Sequence, residues 1–206
     1  MNVQLTILID ACVLCSTLKR HLLLALADAQ LCSIHWSMRI LEETERAIII
    51  ILNNNGRMDA SERASQTVRL MQQAFPEAAV GAYERLEHGI GKLPDEGDRH
   101  VVAAAIKSGA DILVTENLRD FPRKTLALYG IEPLSCDAFV ADVFESAPRA
   151  AQRTIDRMLT RFARPDLDMP SLLATMRRIG LRQSAQLLEA LKDEAGENGE
   201  SCESAD

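Results

Sequence analysis

The chain has 206 residues, of which 47% are hydrophobic, and this is enough for one sizeable domain with appendages or for two small domains. Its formal net charge is −7, and aromatic residues make up only 4%, so base stacking on aromatic rings is not expected to dominate any nucleic-acid contact. No apolar run reaches the length of a membrane span, and the N-terminal "MNVQLTILIDACVL" lacks the basic region of a secretory signal, so we expect a cytoplasmic protein with no membrane partner.

The first part of the chain combines short apolar runs of strand type with longer segments of helical spacing. In chain order, the predicted elements are a buried strand "QLTILID" that ends in Asp10, a helix "LKRHLLLALADAQL", a brief segment "IHWS", a helix "MRILEETERAIIIILNNNG" ended by its Asn-Asn-Asn-Gly stop, a helix "SERASQTVRLMQQAF" that ends before Pro76, and a strand that begins in "AAVGAYERL".

The alternation continues further along the chain. The predicted elements there are a helix "DRHVVAAAIKSGA" with Gly109 as its C-cap, a strand "DILVTEN", a helix "PRKTLALYGI", a short strand "EPLS" and a helix "CDAFVADVFES". Strands that alternate with helices favour βαβ units, so we predict an α/β fold with a central parallel sheet and helices on its faces.

After Pro148 the pattern is helical only, over "RAAQRTIDRMLTRFAR", "DMPSLLATMRRIG" and "LRQSAQLLEALKDEA". Residues 149–192 hold nine basic and four acidic residues, whereas residues 193–206 hold six acidic and no basic residues. We therefore predict three parts: an α/β domain over 1–147, an α-helical appendage over 148–192, and a disordered acidic tail over 193–206.

The cysteines are odd in number and show no zinc-binding pattern; they are Cys12, Cys15, Cys32, Cys136 and Cys202. Cys12 and Cys15 have the CxxC spacing, but neither a second pair nor histidines in step accompany them. Free thiols in a reducing cytoplasm are the expected state.

Acidic and amide side chains stand at the ends of several predicted elements. Asp10 ends the first strand, and Asn117 and Asp120 follow the "DILVT" strand. Asp98 begins the helix that feeds that strand, and Glu43 lies on an earlier helix. Because sites in open parallel sheets form outside the carboxyl ends of the strands, these side chains are expected to share one pocket.

Several carboxylates in one pocket repel each other, and the repulsion costs several kcal/mol or raises their pKa values. A divalent cation removes this cost, and Mg²⁺ prefers oxygen ligands of this kind. Such an ion binds phosphate oxygens and stabilises a leaving oxygen. The cluster therefore favours phosphoester hydrolysis over redox chemistry or acyl transfer.

Each of these residues also has a simpler interpretation. Asp98 is suited to capping a helix, Asn117 and Asp120 are common turn residues, and Glu43 is suited to a solvated helix face. Asp10 is harder to explain in this way, because a carboxylate that ends an apolar strand needs a partner. The metal-site hypothesis therefore depends on the combination.

Three segments, "LIDACVL", "WSMRILEE" and "DEGDRHVVAAAIKSGADILVTENLRDFP", occur in this order. Together they resemble the PIN-domain nucleases, especially the VapC-like toxin components of bacterial toxin–antitoxin pairs. The resemblance extends from about Thr6 to Val143, and the block from Asp98 to Pro122 is its most specific part.

The resemblance implies a three-layer α/β/α fold and a ribonuclease that depends on Mg²⁺ or Mn²⁺. It also implies RNA as the substrate, an antitoxin protein as a partner and a homodimer as the assembly. By position it assigns catalytic roles to Asp10, Glu43, Asp98 and Asn117. It assigns metal-ligand roles to Asp10, Glu43, Asp98 and Asp120, with Glu42 as a less favoured neighbour of Glu43.

Two positions depart from the family pattern. Cys12 stands where the family commonly has Asn or Ser, and Asn117 stands where many members have Asp. A thiol is a poor ligand for Mg²⁺, although Asn117 still offers a carbonyl oxygen. The alternative function is therefore a catalytically weakened PIN-fold binding module that acts through protein or RNA partners.

Two further alternatives concern the reaction. A phosphatase of the haloacid-dehalogenase type also begins with a strand that ends in Asp, but it needs a second Asp two residues later, where this chain has Cys12. Cleavage of DNA stays open, because such a site engages phosphates rather than base edges.

The arginine-rich segment from 149 to 182 has three interpretations. It could bind RNA phosphates and offset the acidic site, its arginines could be solvated or cover apolar surface on amphipathic helices, or the same face could dock a partner helix. The arginines concerned include Arg153, Arg157, Arg161, Arg164, Arg177, Arg178 and Arg182.

Overall fold

The computed structural model describes residues 4–161 and 168–200; for Arg161 and residues 194–200 it describes the backbone alone. The chain divides into two compact units, with the boundary between Ser135 and Cys136. The strands of the first unit are β1 (Thr6–Ile9), β2 (Ser33–Ser37), β3 (Ala79–Val80), β4 (Ile112–Val114) and β5 (Glu132–Leu134). They form one sheet in the order β3-β2-β1-β4-β5, and every neighbouring pair is parallel.

Helices flank this sheet, and the predicted three-layer α/β/α architecture is confirmed. The helices of the first unit are α1 (Ala11–Leu14), α2 (Thr17–Asp28), α3 (Met38–Asn54), α4 (Ala60–Ala74), α5 (Glu84–Glu87), α6 (Arg99–Ser108) and α7 (Arg123–Leu126). The helix predicted over 122–131 is shorter than expected: α7 passes into a 3-10 turn, Ala127–Tyr129, and Gly130 ends it with a φ of 72°. The brief segment "IHWS" lies in β2.

Strand β1 lies at the centre of the sheet, and its position determines which residues meet where the carboxyl ends of the strands lie. Ile7, Leu8 and Ile9 are fully buried. Ile9 pairs with Val114 of β4, so the residues that follow these two strands leave the sheet side by side. The chain segments after β1 and β4 are far apart in sequence, and only this parallel pairing brings them together.

Helix α6 places a short acidic turn close to that edge. All of Val101 to Ala105 is buried, and the three alanines let the helix pack closely onto the strands. The helix ends at Gly109, whose φ of 66° is the left-handed conformation expected of a glycine C-cap. The 3-10 turn Glu96–Asp98 immediately precedes α6, so Asp98 is held at the beginning of a buried helix.

The second unit is helical, with α8 (Cys136–Ser146), α9 (Pro148–Arg161), α10 (Met169–Arg178) and α11 (Arg182–Glu200). Asp137 of α8 accepts hydrogen bonds from the backbone N–H groups of Gln183 and Ser184, at 3.0 and 2.9 Å, and so caps the beginning of α11.

The predicted division of the chain into domains at residues 147 and 192 stays a prediction. Part of the predicted acidic tail, 201–206, lies outside the described residues, as does Arg164. No helix in the described part is both long and apolar enough to cross a membrane.

Candidate active site

Asp10 stands directly after β1 and is only 7% exposed. Its Oδ2 atom accepts hydrogen bonds from the hydroxyl of Thr115 at 2.7 Å and from the thiol of Cys12 at 3.1 Å. Thr115 follows β4 and is fully buried, so the two strand ends are tied together by side chains as well as by the sheet. Oδ1 of Asp10 receives no hydrogen bond from the described residues, which leaves one oxygen for another ligand.

The thiol of Cys12, at the position where the resemblance leads us to expect Asn or Ser, takes part in this network. Its sulfur also accepts a hydrogen bond from the backbone N–H of Glu116 at 3.3 Å. Burial, and then the neighbouring charge of Asp10, raises the pKa of Cys12 to about 12, so the group stays a neutral thiol. The thiol therefore occupies the position as a hydrogen-bonding group that holds Asp10.

Glu43 lies on α3 and is partly exposed. Its Oε1 atom is 3.2 Å from Nε2 of His100, 3.5 Å from Nε of Arg39 and 4.0 Å from a guanidinium nitrogen of Arg46. Burial raises the pKa of Glu43; Arg39 opposes this rise and Asp10 adds to it. The charge of Asp10 therefore acts on Glu43. The adjacent Glu42 is exposed.

Asp98 is the residue on which the charges of the other site acids act. It stands at the N-cap position of α6, but its side chain makes no capping hydrogen bond, so the capping interpretation is wrong for this carboxylate. Burial raises its pKa to about 6, and the charges of Asp95, Asp10, Asp120 and Glu43 add to the rise in that order. Among the described residues no cation pairs with Asp98, and the neighbouring charges that shift its pKa are all negative.

The loop after β4 supplies Asn117 and Asp120. The backbone N–H of Asn117 donates to the Thr115 hydroxyl at 3.0 Å, and its carbonyl accepts from the N–H of Asp120 at 2.9 Å. The Asn117 side chain is exposed, whereas Asp120 is partly buried and close enough to raise the pKa of Asp98. The charges of Asp10, Glu43 and Asp120 therefore all act on Asp98. Asn117 anchors the loop through its backbone.

Two side chains that contact acidic residues of this region, Lys19 and His100, were not predicted from the sequence to do so. Lys19 of α2, nearly buried, lies 2.6 Å from Glu116 and fixes the loop that follows β4. His100 is 2% exposed, and burial, followed by the charge of Arg39, lowers its pKa to about 4. It is therefore neutral near pH 7, with its Nε2 atom 3.2 Å from Oε1 of Glu43 and its Nδ1 buried with no partner in the described part of the chain.

The donor set has the chemistry that a hard divalent ion requires. Carboxylate oxygens are the ligands that Mg²⁺ and Mn²⁺ prefer. Across residues 4–161 and 168–200, no three His, Cys, Asp or Glu side chains already form a tight group around one point. Binding of one ion by several of these acids would therefore require their side chains to move closer together.

Comparisons with known proteins agree with this fold. A family model described as "PIN domain" matches residues 6–119, and a second, described as "VapC50 C-terminal domain", matches residues 136–190. The chain belongs to the PIN-domain family, and the family assignment predicted from its sequence is confirmed. The two matched ranges lie on either side of the boundary between the compact units.

One curated relative is similar to part of the chain. It is a protein of Mycobacterium tuberculosis named "Putative ribonuclease VapC50", and it is 37% identical over 76 residues. The aligned stretch covers 37% of this chain and 45% of the relative, so it spans less than half of either protein. A comparison with solved structures found no match.

Proposed function

We propose that the protein is a Mg²⁺- or Mn²⁺-dependent endoribonuclease and the toxin component of a toxin–antitoxin pair. The observation that carries this proposal is the position of Asp98: it is partly buried at the edge of a parallel sheet, three other site acids act on it, and no cation pairs with it. The name of the curated relative and the match to a VapC50 C-terminal domain support the ribonuclease activity and the toxin class.

In the proposed site, Asp10, Glu43 and Asp98 hold the ion, and Asp120 and Asn117 complete its surroundings. A divalent ion there would neutralise the carboxylates and stabilise the negative charge that develops on a phosphodiester during cleavage. Thr115 and Cys12 fix one oxygen of Asp10 and leave the other for the ion. The proposed partners are RNA and an antitoxin protein, with a homodimer as the assembly and the cytoplasm as the compartment.

The second candidate is a PIN-fold binding module with weakened catalysis, and the specific observations in its favour are Cys12 and Asn117. The Cys12 thiol holds Asp10 but is not a Mg²⁺ ligand, and Asn117 removes one negative charge from the usual set. This candidate predicts RNA or protein binding without cleavage.

Purified protein is expected to cleave single-stranded RNA internally when Mg²⁺ or Mn²⁺ is present, and to leave it intact in EDTA. The same assay is run with single-stranded DNA and with a phosphomonoester such as p-nitrophenyl phosphate. Internal cleavage of RNA supports the endoribonuclease. Intact RNA under all metal conditions supports the binding module, and hydrolysis of the monoester alone would support the phosphatase.

His100→Leu is expected to lower kcat for RNA cleavage by about 10- to 100-fold with little change in KM, because outer hydrogen bonds orient metal-ligating side chains. We propose that His100 is a positioning residue that acts through Glu43. His100→Gln, which keeps a side-chain N–H donor, should restore most of the rate. In a Glu43→Gln background, His100→Leu should add little further loss.

The matched control for this series is His35→Leu. His35 lies on β2, also has a buried Nδ1 without a partner in the described residues, and responds electrostatically to Glu77 rather than to the site acids. The His35→Leu variant should therefore cleave RNA with the kcat of the parent protein. If His100→Gln is as slow as His100→Leu, or if His35→Leu is equally slow, the histidines matter for folding and the positioning role is wrong.

A further inference from the structure

Three arginines form a row on one exposed face of α9. Arg149, Arg153 and Arg157 follow one another at intervals of four residues, so their side chains share a face of the helix, and all three are exposed. Ile155 and Met158 lie on the opposite face and are buried. We call Arg149, Arg153 and Arg157 the α9 arginine row.

The α9 arginine row keeps its full positive charge. The one acid of α9 is Asp156, and Lys192 of α11 binds it with an Nζ–Oδ1 distance of 2.6 Å. Arg177 of α10 is similarly paired with Glu189 of α11. Within the described residues, by contrast, no member of the row has an acidic partner. The row is therefore available to a ligand, as are the exposed Arg178 and Arg182, for which the described residues likewise show no ion pair.

We propose that the α9 arginine row binds the phosphate backbone of single-stranded RNA, which makes the helical unit a substrate-binding module; this rests on the proposed function. Four residues of α-helix rise about 6 Å, which is close to the distance between successive phosphates of an extended strand. Each guanidinium group binds a phosphate through two parallel hydrogen bonds. One turn of the row thus corresponds to one nucleotide step.

The composition of the face favours RNA over a protein ligand. Besides the three arginines, the exposed described side chains of α9 are those of Pro148 and Thr160. Protein interfaces depend on buried aromatic or aliphatic anchors, and this face offers none. A row of charge without an apolar anchor is the pattern of sequence-independent contact with a phosphate backbone.

Neutralising the row is expected to weaken RNA binding and to reduce its dependence on salt. The three arginines are replaced by Gln in full-length protein that also carries Asp98→Asn, so that bound RNA stays intact. Binding of a fluorescently labelled single-stranded RNA is measured by anisotropy. Because each phosphate contact contributes about −0.7 to the slope of log K against log salt, the slope should become shallower by about 2, with roughly 10- to 100-fold weaker binding in moderate salt.

Two variants control for charge and for folding. Replacing the row with three lysines keeps the charge and should retain most of the slope. Replacing the exposed Arg57, Arg63 and Arg69 with Gln removes the same net charge from the first unit and should leave the slope unchanged.

A slope in the Gln variant equal to that of its parent would overturn the proposal. It would also be overturned if the Gln variant lost binding to poly-glutamate while its binding to RNA stayed unchanged, because the row would then recognise an acidic protein. Neither result depends on cleavage, so a failure of the row is distinguishable from a failure of the active site.

Discussion

Asp98→Asn is expected to reduce RNA cleavage by at least about a hundredfold and, without divalent ions, to make the folded protein more stable. Both effects have one cause. In the native protein the pKa of Asp98 is raised from 3.8 to about 6, by burial first and then by the neighbouring acids. The ionised carboxylate is therefore unfavourable in the fold, and this same uncompensated charge would attract the ion.

The sign of the stability change depends on pH. Because the native pKa lies above the unfolded value, the folded state binds the proton more tightly, and stability falls as pH rises from about 4 to about 6. Above that pH range the ionised Asp98 carboxylate lowers the stability of the fold by its full amount, and below that range this loss of stability vanishes. A pKa difference of this size corresponds to roughly 3 kcal/mol, and since Asp98 is partly exposed, solvent screening reduces the expected gain in Asp98→Asn to about 1–2 kcal/mol.

Urea unfolding in EDTA at about pH 7.5 and about pH 4 measures this gain. The gain should be present at the higher pH and absent at the lower one. Asp111→Asn is the matched control: Asp111 precedes β4 at the other end of that strand and accepts a hydrogen bond from Thr6 N–H at 2.9 Å. It should keep parental cleavage and gain no stability. Full cleavage by Asp98→Asn, or a loss of stability in EDTA, would contradict the proposed role.

Mg²⁺ or Mn²⁺ is expected to raise the midpoint of thermal unfolding by roughly 5–10 °C at saturating concentration, and EDTA to abolish both this rise and RNA cleavage. An ion that binds only the folded state stabilises it by about 2.7 kcal/mol at a hundredfold excess over its Kd. For a protein of this size, 1 kcal/mol corresponds to about 2–4 °C. The ion also relieves the repulsion among Asp10, Glu43 and Asp98.

The variants identify where the ion acts. Asp10→Asn and Asp98→Asn should lose most of the thermal shift, while Glu42→Gln, on the exposed neighbour of Glu43, should keep it. Potassium chloride at matched ionic strength should produce no comparable shift. An equal Mg²⁺ shift in wild type and Asp98→Asn would place the ion elsewhere, and a normal shift without cleavage would favour the binding module.

The sequence predicted the parallel sheet because local patterns indicate where its strands end. Apolar runs that end in Asp10 and before Asn117 indicate strand ends, and parallel strands present those ends at one edge. The short helix over Ala11–Leu14 was missed, because four residues carry almost no periodicity. The helix over 122–131 was predicted too long, because the left-handed turn at Gly130 outweighs the helical spacing before it.

The partners of the acids could not be predicted in the same way. His100 beside Glu43, Thr115 beside Asp10 and the ion pair between Lys19 and the exposed Glu116 join residues that are far apart along the chain. No spacing rule connects them, since their contacts depend on how α3, α6 and β4 pack. For the same reason the sequence favoured a helix-capping role for Asp98, whereas its carboxylate makes no capping hydrogen bond and is affected by the charges of neighbouring acids.

The most direct test is a crystal structure of the protein grown or soaked with Mn²⁺ and recorded at a wavelength where manganese scatters anomalously. We predict an anomalous peak at the C-terminal edge of the sheet, with carboxylate oxygens of both Asp10 and Asp98 as ligands at about 2.0–2.3 Å. A fully occupied manganese bound elsewhere, with these two side chains carrying no ion, would contradict it.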